Sequence, residues 1–477
     1  MPGTSEETPP HNLAKRIGPA WAFRWIFVTL LLLVTVSGRA RAEENCAISQ
    51  ATFDSDTYYM THYTYRLHIT LMATRYVELR RATRGLACMA PPLVAFDGLR
   101  YRPAAWAEDL GPFLVVPELV KHSHLSVEAA TDTFFITTIV LGSVIGLFGF
   151  LLQMQTSLGR WIGCVAFLLL TILLLRKGDQ YSLGAAAAVA LVPWILWLTP
   201  RKKLTASILI VVTLIGILAQ ASNYMRAHSG TGIMLFAGMI ILFICQVPRA
   251  GRVFLLVALG LGVGMPFLLM QHLSAQRDAF LQAHPPSVYV EAGSSTAPIQ
   301  FKKPRSSDEY IPAGHHAFWS NVYSALAYIK NPEVPAYKDE VSVAKVHELR
   351  PDAAYCSPEY EQVLRHEIWE LTKRRPLLIV ENVFVKSVVV AFVCLWAINL
   401  GLYAAWLAPK PVALEAAFWL LIAFYGAPGV VVLPLVTYIL SMVACAAIYG
   451  AYSIEYAARN PRVRWRARWV PRSARAN

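Results

Sequence analysis

The sequence predicts an all-α polytopic membrane protein with about nine to ten transmembrane helices and two long outer segments. Three observations carry that expectation. Of the 477 residues, 56% are hydrophobic, and the mean hydropathy of +0.44 lies outside the usual soluble range. Apolar runs at 134–152, 161–175, 181–198, 204–223, 231–247 and 253–270 contain no Asp, Glu, Lys, Arg or His. Lys and Arg fall mostly in alternate short connections, the pattern that orients a multi-pass chain.

Taken in order, the first apolar run is 21–38, preceded by Lys15, Arg16 and Arg24 and followed by Arg39-Ala40-Arg41-Ala42. It reads either as a signal peptide with a small-x-small ending or as an uncleaved first helix, and both place Glu43 outside. Residues 43–133 form a first outer segment. Within it, 57–84 lacks Pro and Gly and carries Tyr58, Tyr65, Leu67, Leu71 and Val77 on a partly periodic stripe, an interfacial helix. Pro91-Pro92 breaks the chain, and a second helical piece over 106–125 is interrupted by Gly111-Pro112 and Pro117. Six spans follow within 134–271. The second outer segment, 272–386, begins loop-like and then patterns as helices: 317–329, closed by Asn331-Pro332; 338–349, with Val341, Val346 and Leu349 on one face; and a helix capped by Ser357 with Pro358 at its first position. That last helix spaces Tyr360, Leu364, Ile368 and Leu371 along one stripe and ends at Lys373-Arg374-Arg375-Pro376. Three more spans, 387–407, 412–425 and 430–449, fall within 387–453, and 454–477 is a basic tail.

With the amino end inside, Arg160, Arg201-Lys202-Lys203, Arg249, Arg252, Lys410 and the seven arginines from Arg459 to Arg475 are all cytoplasmic, whereas short outer loops hold only Arg176-Lys177 and Arg226. The charge pattern therefore places both long segments on the outer side of the membrane, periplasmic or extracellular. The net charge of +13 is mainly this orientation signal, and Trp465 and Trp469 fit the tail to a lipid interface. Membrane lipids are the expected partner and nucleic acid is not. Cys46 and Cys88 both lie outside, where a disulfide can form, and no CxxC or Cys/His spacing marks a zinc site.

Uncharged spans argue against an ion-coupled carrier, which keeps ionisable groups near mid-membrane. No phosphate-cradling Gly loop, nucleophile elbow or HExxH motif occurs. Chemistry is thus expected in the outer segments. Asp54 and Asp56, one residue apart about fifteen residues past the first membrane segment, can share a divalent cation, or one can act as base while the other orients substrate. As ordinary polar residues they would form a solvated turn or helix cap. Glu108-Asp109 is a second acidic pair before Gly111-Pro112.

In its span count, its long first outer loop with an interfacial helix, and the position of Asp54, the chain resembles the GT-C membrane glycosyltransferases, which take sugars from polyprenyl-phosphate donors. That resemblance implies a catalytic Asp in the first outer loop, Asp54 or Asp56, transferring sugar to an envelope or surface glycan acceptor. A second, local resemblance covers 314–386. His316-Ala-Phe-Trp319-Ser-Asn-Val-Tyr323, Asn331-Pro332, Lys338-Asp339-Glu340 and Tyr355-Cys-Ser357-Pro-Glu-Tyr360-Glu361 look like a block found in bacterial membrane proteins of surface-polysaccharide loci, there roughly His-Pro-x-Trp-His-x-x-Tyr, a later Asp, and Tyr-Glu opening a helix. Here Ala317 replaces the proline and Ser320 the second histidine.

On physical grounds His315, His316 and Trp319 can form a sugar-binding shelf, although Trp and His beside an apolar helix also serve as interfacial anchors. Asp339 and Glu361 can bind acceptor or metal, or simply favour the helix starts they occupy. A departing lipid phosphate needs cations at headgroup depth, and the candidates are Arg80, Arg81, Arg84, Lys302, Lys303, Arg305 and Lys386. Two competing functions are a non-catalytic component of polysaccharide or envelope assembly and an exporter of lipid-linked glycans.

Overall fold

The computed structural model describes residues 91–96, 101–103, 109–123, 125, 127–283, 318–353 and 357–460. The protein is an all-α polytopic membrane protein: seven of its described helices are long and apolar enough to cross a membrane. Among the described residues the departure from all-α is one small antiparallel pair, β1 (Val94–Phe96) with β2 (Tyr101–Pro103). Helix α1 (Leu110–Ser123) runs through Pro112 and Pro117 without the expected interruption. Pro112 sits in the first turn, where its missing N–H has no helical partner to lose, and Pro117 is accommodated as a single lost bond. Its face carrying Leu110, Phe113 and Val116 is buried with Leu93, Phe134, Phe135 and Leu183.

The bundle follows as α2 (Val127–Leu151), α3 (Ser157–Lys177), α4 (Gln180–Trp197), α5 (Ala206–Met225), α6 (Ser229–Met239) continued by a π-turn (Ile240–Ile244), and α7 (Arg249–Ala283). Thr156, Asp179 and Thr205 cap α3, α4 and α5 through their side chains. Helix α4 is central, packed by α2, α5, α6 and the helix Leu440–Arg459, with 89% of its apolar window buried. Its Gly184-Ala-Ala-Ala-Ala188 run lets neighbours approach, and Trp194 Nε1 donates to Ile145 O at 3.0 Å. Helices α5 and α7 cross at glycines: a Cβ on Gly216 would sit 2.5 Å from Leu259 O, and one on Gly262 would run into Thr213 O.

A small lobe follows: α8 (Phe318–Ala325) with a 3-10 turn (Leu326–Tyr328), α9 (Asp339–Leu349) and α10 (Pro358–Arg374). The Ser357 cap, Pro358 at the first position and the end at Arg374 are as expected. Tyr323, Leu326, Val334, Val346, Tyr360, Leu364 and Leu371 form its core. Leu349, expected on the apolar face of α9, is 48% exposed, and Ser342 is buried in its place, because two lobe hydroxyls await it there.

The chain returns as α11 (Pro376–Ile398), α12 (Leu400–Leu407), α13 (Val412–Val431) and α14 (Leu440–Arg459). Three expected spans need correction. Run 387–407 is two helices broken at Asn399 (φ 42°, ψ −118°), and its membrane helix begins at Pro376, so it includes Glu381 and Lys386. Run 231–247 is an eleven-residue helix with a π-turn. Run 430–449 begins in the end of α13 and a turn before α14 starts at Leu440. Fixed windows of hydropathy missed these because small residues and turns there are as apolar as helix.

Candidate functional site

The lobe sits at one end of the bundle, and there a polar chain joins elements far apart in sequence. Asp109, 3% exposed, precedes α1 and accepts from Arg226 Nη1 at 3.3 Å and from Ala227 N at 3.0 Å. Arg226 lies in the tight α5–α6 turn. Its Nη2 donates to Tyr181 Oη at 3.2 Å, and its guanidinium stacks 4.3 Å from the Tyr181 ring centroid at the start of α4. Tyr181 meets Tyr438, from the α13–α14 turn, edge to face at 5.1 Å. The Tyr438 hydroxyl lies 3.0 Å from that of Tyr337 in the lobe. One path therefore runs from the first long segment, across three turns of the bundle, to the second.

The turn holding Arg226 is itself fixed. Asn223 Oδ1 accepts from Gly230 N at 2.7 Å and Thr231 N at 3.1 Å, capping α6 from α5, and Ser229 Oγ donates to Ser222 O at 2.6 Å. His228 takes a left-handed conformation (φ 65°). Burial, reinforced by the adjacent Arg226 charge, lowers its pKa and favours neutral imidazole.

Inside the lobe, Glu361 bridges helices. Its Oε2 accepts from Trp319 N at 2.6 Å and its Oε1 from Ser320 N at 3.3 Å, so a carboxylate on α10 caps the open start of α8. Burial raises its pKa despite these bonds, which act in the opposite direction. Tyr360 is fully buried, with Oη 3.0 Å from Ser342 Oγ, and Ser342 is 2.8 Å from Ser320 Oγ. Ser320, which stands where the resembled block has histidine, serves this hydroxyl cluster. Burial first, then the Glu367, Glu333 and Glu348 charges, pushes Tyr323 up to about 12, so its phenol stays protonated. Trp319 is half-buried, with Phe318 edge-on at 5.0 Å and Arg365 at 5.9 Å from its ring.

Lys386 lies within α11 and is 2% exposed. Its Nζ donates to Ala325 O at 2.8 Å, at the last residue of α8, and Asn382, on the same face, donates to Leu326 O at 3.3 Å. Two side chains of a membrane helix thus hold the carbonyl end of a lobe helix, which favours a cation on dipole grounds. Arg375–Glu333 (3.2 Å) and Arg374–Glu367 (2.9 Å) add surface ties within the lobe and its hinge.

Of the sequence-predicted residues, the structure thus gathers Trp319, Tyr323, Tyr360 and Glu361 in one lobe, with Lys386 beneath it and Asp109 at the same end of the bundle. Asp339 opens α9. Asp54, Asp56, Glu108, His315, His316, Arg80, Arg81, Arg84, Lys302, Lys303, Arg305, Cys46 and Cys88 lie outside the described residues. Sequence reasoning missed Arg226, Tyr181, Tyr337 and Tyr438 as site residues. Arg226 carried a signal, being a lone cation in a short loop of the side otherwise poor in cations; the tyrosines are common interfacial residues and carried none.

Chemically the junction offers guanidinium and phenol donors suited to phosphate or sugar oxygens. Among the described residues no group of three His, Cys, Asp or Glu is arranged to hold a metal. No family model matches this chain, and neither a curated protein nor a solved structure is detectably similar to it.

Proposed function

We propose that this chain is a GT-C-like membrane glycosyltransferase that works at the lobe end of its bundle, transferring a sugar from a polyprenyl-phosphate donor to an envelope glycan acceptor. The observation that supports it is the path Asp109–Arg226–Tyr181–Tyr438–Tyr337, which gathers both long segments over one end of an apolar bundle. In the reaction the acceptor oxygen attacks the anomeric carbon, the bond from that carbon to phosphate oxygen breaks, and the lipid phosphate departs against a cation. Asp54 takes the acceptor proton, with Asp56 orienting it or sharing a divalent cation. The lobe end faces the periplasm of a bacterial inner membrane, a placement supported by the cations Arg160, Arg201, Lys202, Lys203, Arg249 and Arg252 in the loops and first helical turns of the other end.

One observation favours a second reading, a non-catalytic component of polysaccharide or envelope assembly: Asp109, Tyr360, Glu361 and Lys386 are all engaged within the protein. The two separate in one experiment. Asp54→Asn, with protein abundance confirmed in membranes, should abolish transfer and leave the unmodified lipid-linked sugar accumulating as in a deletion strain. Full activity of that variant would remove Asp54 from the mechanism, and mild effects of every carboxylate change would favour the assembly role.

A further inference from the structure

The end of the bundle away from the lobe carries a shallow, open cleft of about 300 Å³ along one face of the first turns of α3, lined by Ser157, Arg160, Trp161 and Cys164. Its chemistry is graded. Cys164 lies one turn into α3 from Trp161, whose indole is 73% exposed on the bundle's outer surface, while Arg160 stands at the loop corner, donating from Nε to Met154 O at 3.4 Å. An exposed tryptophan beside a cation at a helix end matches headgroup depth in a bilayer, with acyl chains on the apolar side.

The surrounding charge is of one sign. Arg201, Lys202 and Lys203 lie in the neighbouring loop of this end, and Arg249 and Arg252 in the first turn of α7. The carboxylates there are already neutralised: Glu415 pairs with Lys410 at 2.7 Å, and Glu455 with Arg459 at 2.6 Å. Glu455 lies behind the cleft on the other face of α3, accepting from Gln155 N at 2.7 Å and against Gly159, so it does not oppose an anion in front. Stacking of Arg201 over Trp197 at 3.9 Å repeats the cation–indole pairing one loop away.

We propose that this cleft seats the headgroup phosphate of an anionic phospholipid, Arg160 pairing with the phosphate and Trp161 packing along the glycerol and upper acyl chain. The occupant is a lipid of the bilayer itself, bound by charge complementarity and apolar contact, and the inference does not depend on the transferase reading.

The test uses the full chain in phosphatidylcholine nanodiscs containing a minor fraction of brominated phosphatidylglycerol or brominated phosphatidylcholine, with Trp161 quenching obtained by difference against Trp161→Phe. Brominated phosphatidylglycerol should quench Trp161 about fivefold more effectively per lipid, corresponding to one membrane-surface cation. Added salt should erode the preference. Arg160→Gln should abolish it and Arg160→Lys should keep part of it. Equal quenching by the two lipids overturns the proposal, as does an unchanged preference in Arg160→Gln. Should that variant fail to insert, a preference in the unaltered chain that salt does not move overturns it equally.

Discussion

Asp109 and Arg226, 117 positions apart in the chain, meet at 3.3 Å where the first long segment enters the bundle. The carboxylate is almost wholly buried while the guanidinium keeps 21% of its side-chain surface exposed. Removing the arginine therefore takes a charge-assisted donor from a buried carboxylate, which keeps its bond from Ala227 N, whereas removing the acid returns a cation to partial solvent. Arg226→Gln should cost about 1–3 kcal/mol, and Asp109→Asn less. Thermal unfolding of both variants in detergent checks the order, and a larger loss in Asp109→Asn would contradict it.

Glu361 caps the start of α8 from forty-two positions along the chain, accepting from Trp319 N. Glu361→Ala should destabilise the lobe by about 1 kcal/mol, the usual loss for a helix cap. Because its folded pKa is raised above the ordinary 4.5, the folded state holds a proton more tightly than the unfolded chain. The stability linked to that proton is complete below 4.5 and is lost as pH rises through the folded value. Glu361→Gln, which keeps an acceptor for the backbone N–H groups without a charge, should flatten this dependence. Hydrogen exchange of α8 amides across that range reports it, and an unaltered pH profile in Glu361→Gln would locate the titration elsewhere.

Lys386 separates anchoring from chemistry. If its role is to hold Ala325 O, Lys386→Met should loosen the lobe and raise proteolysis around the Asn331-Pro332 turn while the bundle stays intact. Loss of transfer with an undisturbed lobe would instead return this lysine to the donor phosphate.

The α5–α7 crossing should be intolerant of side chains. Gly262→Ala forces a Cβ into Thr213 O and should cost about 1–3 kcal/mol or block assembly, while Gly260→Ala, whose Cβ meets nothing within 4 Å, should be silent. Comparable melting of the two variants would contradict the crossing.

Much of this was legible in the sequence, for reasons that differ by element. Ser357-Pro358 announced the start of α10 because capping chemistry is local, and Tyr360, Leu364 and Leu371 announced its buried face because period is local too. Local rules were silent on Glu361, whose cap serves a helix brought near by folding, and on Lys386, whose partner is a carbonyl sixty-one positions back. Hydropathy overran Asn399 because leucines and glycine surround it, although its backbone leaves the helical region altogether. The tyrosines of the junction carry no pattern at all; only the turns that place them do.

Helix α7 has 35 residues, a length of about 52 Å against a hydrocarbon layer of about 30 Å. Its last turns, from His272 to Ala283, therefore extend past the hydrocarbon layer, where Leu273 packs on the α1 core and Arg277 is buried. A small change of tilt within the bilayer, whether from thickness or from a shifted neighbour at Gly216, would therefore be carried into α1 and the β1–β2 pair packed beside that end.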